Sequence, residues 1–141
     1  MAKRILVPTD GEDRAIVPLA AELARGAGAT IRLLRVLPLP KMGIGAYGRV
    51  ISYVDQEMES LRGRALDDLA AVEAQLDGVP FETVIRFGDP VEEILLEAEV
   101  FSADVIAVGG HRRTWPRRAL RSSVADRVAR RAAPPVLLLR E

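Results

Sequence analysis

Between Val108 and Val124 the chain reads VGGHRRTWPRRALRSSV. Glycines open this stretch, Arg112, Arg113, Arg117, Arg118 and Arg121 fill its middle, and Ser122 and Ser123 close it. Each type suits a phosphate. Glycine lets backbone N–H groups approach an oxyanion with no Cβ between them. Arginine supplies planar, charge-assisted hydrogen bonds. Serines at a helix start add hydroxyls to its free N–H groups and positive dipole end. Each type also has a purely structural use. Arginine clusters are commonly solvated, and Ser123-x-x-Asp126 is a capping-box pattern that needs no ligand.

A second candidate is Pro8-Thr9-Asp10-Gly11, directly after a short apolar run. Asp10 has two readings. It is a turn or N-cap residue, or a carboxylate at the mouth of a sheet that accepts hydrogen bonds from a ligand. GIGAYG, Gly43 to Gly48, matches the dinucleotide fingerprint only in letters. Those glycines belong in the first strand-to-helix turn, whereas here they follow the second strand and two prolines, so a loop is the better reading. There is no G-x-x-x-x-G-K-[ST]. The lone histidine, His111, reads as a loop residue. No Ser/His/Asp set or carboxylate pair argues for nucleophilic or acid–base catalysis, and no catalytic residue is assigned.

Composition narrows the function classes. Lys+Arg and Asp+Glu are both 20, so the formal net charge is zero; a nucleic-acid binder normally carries a basic excess. Aromatics are 4% of residues, too few for a base-stacking platform. Without cysteine, disulfides, Cys-based zinc sites and thiol chemistry are excluded. No apolar run approaches the roughly 18–20 residues of a membrane span. MAKRILVPTD lacks the apolar stretch of a signal peptide, and a cytoplasmic location is the expectation.

The elements that must hold these residues follow from periodicity. Ile5-Leu6-Val7 is a continuous apolar run that suggests a strand buried on both faces, and Ile31–Leu37, Phe81–Phe87, Val105–Val108 and Val136–Leu139 read as four further strands. Between them lie helical patterns. Ile16, Leu19, Ala20, Leu23 and Ala27 form one stripe, ended by Gly26 and Gly28. Met58, Leu61, Ala65, Leu69, Val72 and Leu76 form the face of a long helix. Asp89-Pro90-Val91-Glu92 supplies an N-cap, a first-turn proline and an acid three residues on, before a stripe of Ile94, Ala98 and Phe101. Leu120, Val124 and Val128 mark a last helix, and Pro134-Pro135 stops it. This alternation implies an α/β protein: a three-layer fold with one parallel sheet and helices on both faces. No repeat, linker or tail interrupts it, so the expectation is a single domain over 1–141.

In their order along nearly the whole chain, these motifs resemble the universal stress protein family. KRILVPTDG is similar to the family's first strand and Asp loop, and LLRVLP to its second strand, with Val36 at the usual valine. GDPVEEILLEAEVFSADVIAVGGH resembles the G-x-P, third helix and fourth strand, and SSVADRVARRAAPPVLLL the last helix and strand. The resemblance implies strand order 3-2-1-4-5, a nucleotide-binding, α-hydrolase-like arrangement, and a homodimer commonly built through the final strand. It also implies a site in those members that bind ATP, which carry G-x2-G-x9-G-[S/T] before the last helix. Here Gly109 takes the first position, Arg112 the second, Ser122 the third and Ser123 the hydroxyl, followed by Val124. The spacing is intact, but two glycines are replaced. By the same resemblance the Pro8-Thr9-Asp10 loop contacts the adenosine part, and Val36 offers its backbone to adenine.

Arg112 is the serious departure. A left-handed backbone there costs an arginine about 1–2 kcal/mol. A guanidinium–phosphate contact returns about 1.5–3 kcal/mol. The two are comparable, so the alternatives stay open. One is an adenine-nucleotide-binding stress or signalling module, taking ATP with Mg²⁺ arriving on the triphosphate. The second is a dimeric interaction protein of the same fold without nucleotide. The third is a slow ATPase, the weakest because no base is evident.

Overall fold

Strands that carry apolar side chains on both faces need cover on both, and the fold provides it. A computed structural model of the chain runs β1 (Arg4–Pro8), α1 (Ile16–Ala27), β2 (Thr30–Leu37), α2 (Arg49–Glu73, then a 3₁₀ turn at Ala74–Leu76), β3 (Phe81–Phe87), α3 (Pro90–Phe101), β4 (Val105–Gly110), α4 (Val124–Arg131) and β5 (Val136–Arg140). The structure describes residues 3–10, 15–40, 49–110 and 124–140. All strand pairs are parallel, in the order β3-β2-β1-β4-β5 implied by the resemblance.

Side chains alternate between the two faces of the sheet. Ile5, Val7, Ile31 and Leu33 join α1 and the second half of α2 in one core. Leu6, Leu34 and Ile106 join α3 and α4 in the other. The helix termini follow local chemistry. Gly28 takes the left-handed conformation (φ 66°) that ends α1, its N–H bonding the Ala24 carbonyl. Asp89 caps α3, its Oδ2 accepting the Glu92 N–H at 3.0 Å, with Pro90 in the first turn. The second half of a capping box is not what Glu92 makes; its carboxylate pairs with Arg131 of α4 at 2.8 Å.

Two expectations about buried faces need correction. In α1 the core residues are Ile16, Val17, Ala20, Ala21 and Ala24, while Leu19, Leu23 and Ala27 are exposed. The helix turns its small residues to the sheet, where alanine permits close approach, and leaves its leucines on the flank. In α2 the lower stripe Ala65, Leu69 and Val72 is buried, as is Leu76 in the turn that follows, but Met58 and Leu61 are only half-buried. A helix of 25 residues is about 37 Å long against roughly 23 Å for the seven-residue β3, so one end of α2 outruns the sheet. No helix among the described residues is long and apolar enough to cross a membrane.

Candidate functional site

An all-parallel sheet puts every strand's carboxyl end on one edge, and ligands of open α/β sheets bind there, where strand order reverses. In this sheet the reversal lies between β1 and β4. β1 pairs with β2 from Arg4 to Pro8, whereas its ladder with β4 covers Ile5 and Leu6 and stops two residues short of the end of β1.

The residues singled out in the sequence gather at this edge where they are described. Pro8 is buried as the last residue of β1. Thr9 is 5% exposed, and its N–H bonds the Leu34 carbonyl at 2.8 Å, which extends the β1–β2 ladder one step beyond the strand. Asp10 follows immediately and is exposed. Gly109 lies near the end of β4, paired with Leu139 of β5. Val124 opens α4, half-buried against the α3–α4 core. Arg112, Ser122 and Ser123 lie outside the described residues, as do His111, the other loop arginines and GIGAYG.

The backbone of β2 alternates in direction. Thr30 donates its N–H to the Lys3 carbonyl beside β1, and Leu34 accepts from Thr9; Ile31 donates to Pro80 and Leu37 accepts from Gly88, both on the β3 side. Even-numbered residues therefore turn their backbone groups toward β1 and odd-numbered ones toward β3. Val36 is even. Its N–H and C=O turn to the β1 side at the level where the strand has given way to Thr9 and Asp10. One donor and one acceptor side by side are what the edge of a base with a complementary pair requires.

Val36 pairs in register with Arg86 of β3, and here the sequence reading missed a feature. Arg86 donates to Glu93 Oε2 from Nε and to Glu97 Oε2 from NH1, both at 2.7 Å. Glu97 Oε1 takes Arg32 NH1 at 2.7 Å, and Arg32 closes the chain on Glu82. The Glu97 side chain is 3% exposed. Burial works against the charge of Arg32, but Glu82 and Glu97 outweigh it and raise its pKa above the ordinary guanidinium value. For Arg86 the bond from Glu93 dominates, and its pKa is raised as well despite burial. Both arginines thus stay charged across the working pH range. Arg32 also stacks 4.2 Å from the Phe101 ring centroid, with Arg4 at 5.7 Å. A signal for this network was present. Glu97 is three residues after Ile94 and four before Phe101, a charge on the buried stripe of its helix, and such a charge must be paired.

A groove lined by Gln56, Glu57, Ser60, Leu61 and Arg64 runs along α2 and includes none of the edge residues. Among the described residues no cluster of three His, Cys, Asp or Glu side chains could hold a metal ion.

A model described as the universal stress protein family matches residues 1–140. Universal stress protein MJ0531 of Methanocaldococcus jannaschii is 32% identical over 146 residues, covering 99% of this chain and 82% of the relative. The solved structure of hypothetical protein MJ0577 has a TM-score of 0.78 at 24% identity, covering 100% of this chain and 97% of that one. A universal stress protein in complex with cAMP has a TM-score of 0.65 at 23% identity, with coverage of 99% and 97%.

Proposed function

Because the chain belongs to the universal stress protein family, we propose that it binds an adenine nucleotide at the carboxyl edge of its sheet and serves as a stress-response or signalling module. The observation that carries this reading is the order of three neighbouring strands. Asp10 follows the end of β1, and Val36 of β2 and Gly109 of β4 lie toward the carboxyl ends of the strands on either side of it. Val36 offers a donor and an acceptor that suit adenine, and Asp10 offers a carboxylate to the sugar hydroxyls. The structural relative in complex with cAMP supports the nucleotide class. At the phosphate end the reading rests on Gly109, Arg112, Ser122, Ser123 and Val124, with arginine substituting charge for a glycine's closeness. ATP is the expected ligand, and Mg²⁺ would come with the triphosphate. Two copies would join through β5, the apolar outer strand.

A thermal melt of dialysed protein with millimolar Mg-ATP tests the reading. Ligand at about 100 times its dissociation constant stabilises the fold by roughly 2.7 kcal/mol, a midpoint shift on the order of 10 °C. The shift should disappear in Asp10→Ala. A second reading is favoured by one observation, the arginine and serine at two glycine positions of the loop. It is an interaction module whose nucleotide site Arg112 has closed. In that case the wild type shows no shift and Arg112→Gly does.

A further inference from the structure

We infer that Glu97 is a positioning residue for base selection, setting the place of Val36 through Arg86; the inference rests on the nucleotide reading above. Along most of its length α3 meets the sheet through apolar side chains such as Val91, Ile94 and Ala98. Toward β3 it changes material. Glu97, almost wholly buried, takes one arginine from each of two adjacent strands, Arg32 of β2 and Arg86 of β3, each at 2.7 Å. Arg86 is the register partner of Val36, and strand alternation puts both side chains on the α3 face. Glu93 holds the same guanidinium from the first turn of α3. Its carboxylate fills the space beside Gly88, where a Cβ would stand 2.6 Å from Oε1. The link therefore runs from the middle of α3 to the turn where β3 ends, passing beside the one β2 residue whose backbone faces the candidate base position.

Such a link does what an apolar contact does not. A buried ion pair is weak as a source of stability, since apolar residues of the same volume do as well. It is strong as a source of geometry, because a forked guanidinium between two carboxylates fixes distance and direction together. Apolar contacts are non-directional, so they leave the end of a strand freer to make a small slip than a forked ion pair does. A backbone donor–acceptor pair reading a base edge does not tolerate that slip, because hydrogen bonds weaken steeply with misalignment.

The test is the ratio of ATP to GTP affinity, measured by titration on wild type, Glu97→Ala, Arg86→Lys and Arg131→Gln. Arg86→Lys keeps the charge and loses the fork, so it serves if Glu97→Ala folds poorly. Arg131→Gln breaks the exposed pair that α3 makes with α4 and leaves the β2–β3 link intact. The expected result is a wild-type preference for ATP that falls about tenfold in Glu97→Ala and Arg86→Lys, the equivalent of one hydrogen bond at the base, and is unchanged in Arg131→Gln. Wild type that binds no nucleotide overturns the nucleotide reading and this inference with it. Wild type that binds ATP and GTP alike overturns the inference alone. So does a ratio that survives both link variants, or one that falls equally in Arg131→Gln.

Discussion

The two outer strands of the sheet are built from opposite materials. β3, FETVIRF, has its polar side chains tied on both faces: Glu82 and Arg86 in the ion-pair chain on the α3 side, and Thr83 donating to Glu73 of α2 at 3.0 Å on the other. β5, VLLLR, carries no charge before Arg140. Its Val136 and Leu138 lean on the α3–α4 core and its Leu137 and Leu139 on the α1–α2 core, each half-buried. The equivalent residues of inner strands, such as Leu6 and Ile106, are fully buried. The side chains of β3 are open to a similar degree, as befits the two edges of one sheet, so the contrast between the edges lies in their chemistry. Charged, tethered side chains protect an edge against strand addition, whereas an apolar edge invites it. The difference assigns the two edges different work: β3 braces the interior and the candidate site, and β5 is where a second copy is proposed to join.

The largest effect should come from the apolar edge. Leu138→Asp, or a charge at Val136, should convert a dimer to a monomer by light scattering. A dimer that persists would move the interface away from β5 and break the comparison. On the charged edge, Glu97→Ala should lower unfolding free energy by about 2–3 kcal/mol in urea. That is less than the 3–5 kcal/mol typical of a broken buried pair, because Arg32 keeps Glu82 and Arg86 keeps Glu93. A loss below half a kilocalorie would show that the edge is not held by its charges. Gly88→Ala should cost roughly 1–2 kcal/mol, from its positive φ of 144° and the close approach of Glu93, and the cost should shrink in a Glu93→Ala background. Equal costs in both backgrounds would separate Gly88 from the brace. The smallest change is a gain. Ser102 ends α3 at a left-handed φ of 55°, so Ser102→Gly should stabilise by about 0.5–1 kcal/mol. A loss there would mean that the serine holds a contact worth more than its strain.

Local signals are the ones most legible in the sequence. Short strand-like runs between turn signals mark the five strands, Asp89-Pro90 the start of α3 and Gly28 the end of α1, because caps, turns and periodicity act within a few residues. Less legible is which face a helix buries. Leu19 and Leu23 are better hydrophobes than Ala20 and Ala24, yet the sheet takes the alanines, since the distance between packed layers, set by the whole core, decides which volumes fit. Of the candidate site, Pro8, Thr9, Asp10, Val36 and Gly109 were legible as positions on strands and their ends. Their meeting at one edge follows from strand order, which the chain reveals only through its resemblance to a family.

Local sequence dictates the kinds of element, their order and most of their ends, together with the residue types available at each carboxyl end. Which charges pair is set by the three-dimensional arrangement of the strands and α3. Arg32 finds Glu82 and Glu97 across 50 and 65 residues of chain, and Arg86 comes to lie beside Val36. Any of 20 basic and 20 acidic residues was eligible by charge. Register between distant strands makes the selection, because a buried carboxylate is tolerated only where the fold delivers a guanidinium to within hydrogen-bond reach.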